Sequence, residues 1–343
     1  MANTSLTDED MRKALDKVAK YGGVTAAIKA EGGKRSTLQA QVDAARVRLP
    51  AVPEPEPIPD KRLPVEDLIE HREKAFEQRR AHYRAKLWRR FTVPCKGPYA
   101  LMFFGDPHLD DDGCNLPLFK AHAKLAASTE HLYAINIGDT TNNWVGRMSR
   151  LWADQSASAE DAKAYAKHYL VDSGIPWFLW LFGNHDIWDG PVGRDFFNGI
   201  CPQFVEMDDW QAKITLVSPN GHELRLWAAH NFKGTSQWNP LHGPLKAAQM
   251  GDWAHLYVAG HHHNWGLAQG EHEHRRFVYN LARVRGYKFD DSYAEINGFG
   301  EHQEGAAMVA VIDPASDKLN AVRCFHDPFE GVEFLAWKKR DDR

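Results

Sequence analysis

Residues 99–110 read YALMFFGDPHLD: six apolar residues in succession, a glycine, then an aspartate and a histidine two positions apart. An unbroken apolar run of this length, without polar alternation, describes a strand buried on both faces. The same grammar recurs downstream. HLYAINIGDTTNN (131–143), PWFLWLFGNHD (176–186), LRLWAAHNF (224–232) and HLYVAGHHHNWG (255–266) each carry an apolar run into a polar cluster. Helical stretches fall between the early runs, at LPLFKAHAKLAAS (116–128) and ASAEDAKAYAKHYLVDSG (157–174). RFVYNLA, AAMVAVI and AVRCF supply further strands, set closer together and more mixed in character. This order predicts an α/β body over 93–343, built as two packed mixed β-sheets flanked by helices in four layers.

The first 92 residues have another character. They hold 19 Lys/Arg against 14 Asp/Glu, so a basic front precedes a body that must be acidic, since the whole chain carries −4. Residues 1–49 read as a small all-α module of three helices. The first has an acidic first turn and apolar spacing at Met11, Leu15 and Val18. The second starts at a Thr25 cap, and the third starts at Ser36. A short helix, a glycine-containing turn and a second helix describe a helix-turn-helix, and GGVTAAIKAEGGKRSTLQAQVDAA resembles small DNA-binding domains of that kind. A docking or dimerisation cap fits the same pattern. Residues 50–60 form a proline-rich linker, with five prolines between 50 and 59. Residues 61–92 hold a long basic helix over 65–91, with eight basic and two acidic residues from Arg72 to Arg90. Its Leu68, Ile69, Phe76, Tyr83 and Leu87 predict a face packed on the main domain, and its charge excess offers a polyanion-facing surface as the alternative.

The composition narrows the function classes. With 43% hydrophobic residues the chain can build a sizeable core. Four scattered cysteines without a CxxC pair argue against a disulfide framework or a zinc ribbon and point to a reducing, cytoplasmic setting. The N-terminus has no apolar signal core, and the longest apolar run, IPWFLWLF (175–182), is far too short to cross a bilayer, so no membrane partner is expected.

Ligand-type residues gather at the carboxyl ends of five predicted strands, where open α/β sheets bind ligands. They are Asp106 and His108, Asp139 with Asn142, Asn184 with His185 and Asp186, His230, and His261 to His263. Any one has a dull explanation as a turn or cap residue, but their joint occurrence points to one convergent site. The pattern D-x-H, G-D-x-x-N, G-N-H-D, H and G-H-x-H resembles the calcineurin-like metallophosphoesterases over roughly 99–330. The resemblance implies a metal held by Asp106, His108, Asp139 and His263, and a second held by Asp139, Asn184, His230 and His261, with Asp139 bridging. It further implies His185 as general acid, with Asp186 orienting its ring. Mixed imidazole and carboxylate donors suit manganese, with iron or zinc as alternatives. Two such ions acidify a bridging water and clamp phosphoryl oxygens. In an extended segment alternate residues share a side, so His261 and His263 would face the ions and His262 would point away.

Asn142 and Asn143 are candidate substrate contacts or helix caps. Trp144 and Trp265, like Trp188 and Trp238, follow metal motifs by a few residues and are either rim packing or stacking platforms for bases. Arg147, Arg194, Lys233, Arg283 and Arg285 are candidate phosphate contacts. The leading expectation is a dinuclear phosphodiesterase or nuclease acting on DNA. The competing one is a phosphomonoesterase acting on a phosphoprotein or nucleotide, with an N-terminal module that serves assembly, including homo-oligomer formation. A non-catalytic DNA-binding scaffold is a weaker third.

Overall fold

The computed structural model describes residues 6–49, 63–289, 305–316 and 321–341. The proline-rich linker expected at 50–60 lies outside the described residues. The chain divides into two compact units, 1–73 and 74–343.

In the first unit, α1 (Asp8–Tyr21), α2 (Val24–Glu31) and α3 (Arg35–Arg48) pack around Ala14, Ala27, Leu38 and Val42. Thr7 and Asp10 close a capping box at the start of α1, and Gly22 ends it in the left-handed conformation. The two expected caps differ. Helix α2 begins at Val24 after Gly23, and α3 begins at Arg35 after Lys34, neither with a side-chain cap bond. Ser36 therefore lies inside the first turn of α3, where the preceding glycines already set the entry of the chain.

Helix α4 (Val65–Lys86) ends earlier than expected, and Arg89–Thr92 form strand β1. Its apolar face does not pack: none of the helix is buried, and Leu68, Ile69, Phe76 and Tyr83 are all exposed.

The second unit contains two six-stranded mixed sheets. One runs β12-β11-β2-β3-β4-β5, the other β1-β6-β7-β8-β10-β9. In the first, β2 (Tyr99–Phe104), β3 (Leu132–Asn136), β4 (Trp177–Phe182) and β5 (Glu206–Asp209) are parallel, while β11 (Ala307–Ile312) and β12 (Val322–Phe325) are antiparallel additions. In the second, β6 (Gln211–Val217) pairs antiparallel with β7 (Glu223–Ala229). Strands β7, β8 (Leu256–Ala259) and β10 (Val278–Arg283) are parallel, and β9 (Gly266–Glu271) closes the edge.

The apolar runs are explained by burial on both sides. Leu101 and Phe103 of β2, with Ile135, Leu179 and Leu181, face Ile214, Leu224, Leu226, Leu256 and Val258 of the other sheet. Met102 and Phe104, with Trp180 and Phe182, face outward beneath helices, among them α5 (Leu116–Ser128) and α6 (Ala159–Lys167). Tyr257, Tyr279 and Leu281 make a smaller core beneath a helix over His242–Met250. Each fully buried Leu or Phe contributes about 1.5–3 kcal/mol, so this doubly covered centre dominates the stability. Parallel strands in register bring their carboxyl ends to a common edge of each sheet, and that edge positions the site.

Candidate metal centre

Every ligand candidate follows one of these strand ends. Strand β2 leads to Asp106 and His108, β3 to Asp139, β4 to Asn184 and His185 in the short helix α7 (Asn184–Ile187), β7 to His230, and β8 to His261 and His263. Main-chain bonds tie the ends together. His108 N–H donates to the Asp139 carbonyl (3.0 Å) and Gly260 N–H to the His230 carbonyl (3.0 Å). His261 N–H donates to Asp106 Oδ2 (2.8 Å) and His185 N–H to Asp139 Oδ1 (2.9 Å). Two glycines make the approach feasible. A Cβ on Gly183 would lie 2.2 Å from Asp139 Oδ1, and one on Gly138 would lie 2.7 Å from both Gly183 N and His230 Nδ1.

The donor atoms converge in groups. Asp106, His108 and His263 each bring a ligand atom within 4.8 Å of one another, and so do Asp139, His230 and His261. His108, Asp139 and His185 form a third group. His263 Nε2 stands 3.2 Å from Asp106 Oδ2. His230 Nε2 stands 3.2 Å from Asp139 Oδ2, 3.0 Å from Asn184 Oδ1 and 3.0 Å from His261 Nδ1. Two imidazole nitrogens facing each other beside a carboxylate and an amide oxygen form a donor set rich in lone pairs.

Three observations fit this set to cations. First, Asp106 Oδ1 is buried with no hydrogen-bond partner, an arrangement that is costly unless the oxygen is otherwise engaged. Second, the far ring nitrogens are committed: His230 Nδ1 donates to the Ile137 carbonyl (3.0 Å) and His108 Nδ1 to Asn142 Oδ1 (2.9 Å). Each bond engages Nδ1 and leaves Nε2 as the ring nitrogen that faces the cluster. Third, the backbone is strained there: His108, Asp139, Asn143, His261 and His263 all have positive φ, between 42° and 69°. Such conformations collect at functional sites, where the surrounding structure over-determines them.

The electrostatics follow from burial. Desolvation holds His108 well below the usual histidine range, with the Lys288 charge acting in the same direction. Burial also lowers His261, assisted by His230. For His230, burial opposes the charged ring, yet Asp139 and Asp106 outweigh it and raise the group to about 9. Burial would raise Asp139, but the His230 and His185 rings outweigh it and hold the carboxyl well below its usual value. The two buried carboxylates thus demand positive charge at the heart of the cluster.

His185 is boxed by rings. His108 lies edge-on at 4.8 Å between centroids, Trp144 at 5.4 Å, and Trp188 stacks at 4.0 Å with a 35° tilt. Its Nδ1–H donates to the Asn142 carbonyl at 2.5 Å, and its Nε2 points inward, 3.9 Å from Asp139 Oδ2. The orienting group is therefore Asn142, and the role expected of Asp186 is corrected. The Asp186 carboxylate accepts from the backbone N–H groups of Asp139, Thr140 and Gly183 and so holds the loops leaving β3 and β4 together. Burial and the neighbouring Asp139 push Asp186 up to about 7, against those donors.

The four substrate-contact candidates have these settings. Asn142 is buried. Its Oδ1 holds His108, and its Nδ2 donates to Asp111 and Gln155. Asn143 Nδ2 donates to the His185 carbonyl (2.7 Å). Trp144 is buried between His185 and Gln155, to which its Nε1 donates. Trp265 packs on the inter-sheet core and against His326. The exposed aromatic beside His185 is Trp188, and Trp238 is exposed as well. His262 is exposed, as expected, although positive φ at His261 and His263 sets the directions there in place of strand alternation. Arg283 is fully buried and donates to the Pro240, Gly260 and Asn231 oxygens, bracing the histidine loop, and Arg194 pairs with Asp209.

The bracing network went unread in the sequence. Lys288 pairs with Asp111 (2.8 Å), Asp111 accepts from Asn142, and Gln155 links Asn142 to Asp110. The run LDDDG at 109–113, directly after the D-x-H pair, was the available signal for its acidic half.

No family model and no curated protein matches the chain. Among solved structures it is similar to Vps29 of Chaetomium thermophilum, at 14% identity over 66% of this chain and 96% of that one, with a TM-score of 0.35. It is also similar to GAP50, titled the anchor in the inner membrane complex of Plasmodium, at 12% identity over 71% and 95% of the chains, with a TM-score of 0.32. These likenesses are slight, and the architecture rests on the strand orders and registers of the chain itself.

Proposed function

We propose that this chain is a dinuclear metal-dependent phosphoric ester hydrolase acting on phosphodiesters, with DNA as the substrate class. The observation that carries the reading is the pair of donor groups, Asp106–His108–His263 and Asp139–His230–His261, with the His185 ring aimed between them. Asp106, His108, Asp139 and His263 would hold one divalent cation. Asp139, Asn184, His230 and His261 would hold the other, with Asp139 shared. Manganese suits this nitrogen and oxygen set, and iron or zinc would also be accepted. When bound, the cations supply Lewis acidity and a water acidic enough to attack phosphorus near neutral pH.

The remaining work falls to side chains. With Nδ1 committed to Asn142, the titrating proton of His185 sits on Nε2, facing the cluster. Burial lowers the affinity of His185 for that proton. The negative charge of a bound phosphate restores it, and the proton can then pass to the leaving oxygen. Trp188 and Trp144 restrict the ring to this orientation. DNA enters the proposal through the first unit, a helix-turn-helix whose α3 leaves Arg35, Ser36, Thr37 and Arg46 exposed.

The test is direct. Purified protein with Mn²⁺ is offered p-nitrophenyl phosphate, bis-p-nitrophenyl phosphate, and single- and double-stranded DNA. Hydrolysis of the diester and of DNA is expected. A preference for the monoester with no DNA cleavage replaces the reading with a phosphomonoesterase whose first unit serves assembly. Deletion of residues 1–60 should weaken DNA binding while leaving small-ester hydrolysis intact.

A further inference from the structure

Helix α4 spans 22 residues and buries none of them. Ile69, Phe76 and Tyr83 recur every seven residues along it, one turn after Val65, so the four lie on one narrow stripe. They are 54%, 61%, 61% and 64% exposed for Ile69, Phe76, Tyr83 and Val65 respectively. Large apolar side chains aligned in water on a single helix mark a surface that meets a partner.

The charge along the helix selects the partner. Val65–Lys74 carries four acidic residues, Glu66, Asp67, Glu70 and Glu73, against Arg72 and Lys74. Ala75–Lys86 carries Glu77 against Arg79, Arg80, Arg84 and Lys86. The helix is thus acidic in its first half and basic in its second, and it remains so with Lys86 paired to Asp208. A polyanion would meet the acidic half and the apolar stripe, both unfavourable. A second copy laid parallel would set like charge against like. Laid antiparallel, it sets each acidic half on a basic half, with the stripes in contact.

We infer that α4 is a self-association surface, pairing antiparallel with α4 of a second copy of this chain about a centre near Phe76. Ile69 then faces the partner's Tyr83. Glu73 and Arg80, seven residues apart and so on one flank of the stripe, then face each other across the pair. This places self-association on α4, not on the three-helix module.

Single cysteines test both the contact and its direction, using the full chain and a short thiol-to-thiol cross-linker, with the unsubstituted chain as background. Phe76→Cys is expected to give a covalent dimer by itself. Ile69→Cys and Tyr83→Cys are expected to give none alone, because an antiparallel pair separates each from its own copy by roughly 20 Å along the axis at 1.5 Å per residue. Mixed together, those two variants should cross-link. Light scattering should give twice the chain mass of 38.9 kDa. Phe76→Glu should return it to that of one chain, with the thermal unfolding of the body unchanged. Self-cross-linking of Ile69→Cys and of Tyr83→Cys would mean a parallel pair and overturn the proposal. So would a single-chain mass at every concentration, or a chain that stays monomeric and binds DNA through α4.

Discussion

His185 is held at three points: its backbone N–H by Asp139, its carbonyl by Asn143, and its ring nitrogen by Asn142. None of its ring contacts is a cation-holding bond in the proposed allocation, so its chemistry should separate from metal binding. His185→Asn is expected to keep its full metal content by elemental analysis while turnover falls by about 10²–10⁴. Turnover within a factor of two of the parent would remove the general-acid role. At this scale the sequence was legible where side-chain type alone marks a ligand candidate. Asp106, His108, Asp139, His230, His261 and His263 all stand in the cluster because imidazole and carboxylate announce themselves. The anchors were illegible for a physical reason. The Asn142 and Ile137 carbonyls that orient His185 and His230 are main-chain atoms, which any residue would supply.

The elements divide in the same way. Central strands β2, β3 and β4 could be read because both faces are buried and, Asn136 apart, their side chains are apolar. Strands β1, β5 and β9 sit at sheet edges and carry sequences such as RRFT, EMDD and GLAQGE, in which backbone pairing is helped only by single apolar contacts from Phe91, Met207 and Leu267. Strand β6 alternates more conventionally and was the one readable omission. The turn leaving β4 constrains the cluster directly, since Gly183 passes against the Asp139 carboxylate. Gly183→Ala must displace that carboxylate. We expect metal affinity to fall by at least the 10–100-fold seen when the surroundings of a ligand are disturbed, measured by metal titration. Unaltered affinity would mean that the β3 and β4 turns yield more easily than their packing suggests.

For the whole molecule, acid is the expected weakness. His122 on α5 is buried against the Tyr287 hydroxyl, and desolvation lowers it to about 4 from an ordinary 6.5. His255 is likewise lowered to about 4 by burial. In both cases the unfolded chain takes up a proton that the folded chain refuses. The contribution is therefore complete above pH 6.5 and is lost as the pH falls toward 4, by about 3 kcal/mol for His122 at that limit. Denaturant unfolding at pH 7 and pH 4.5 should show this loss, and His122→Gln should flatten it. A slope unchanged in that variant would move the acid sensitivity elsewhere. The proposed centre also takes Asp106, Asp139 and Asn184 from strands of one sheet and His230, His261 and His263 from strands of the other. Ions seated there would rivet two layers whose strand ends are already linked by the His261–Asp106 and His230–Ile137 hydrogen bonds. Binding to the native state alone adds about 4 kcal/mol at a thousandfold excess over the dissociation constant. Chelation should therefore lower the melting temperature, and added Mn²⁺ should restore it in the parent but not in Asp139→Asn. Hydrogen exchange should slow along both layers at once, because a clamp across the seam forces them to open together.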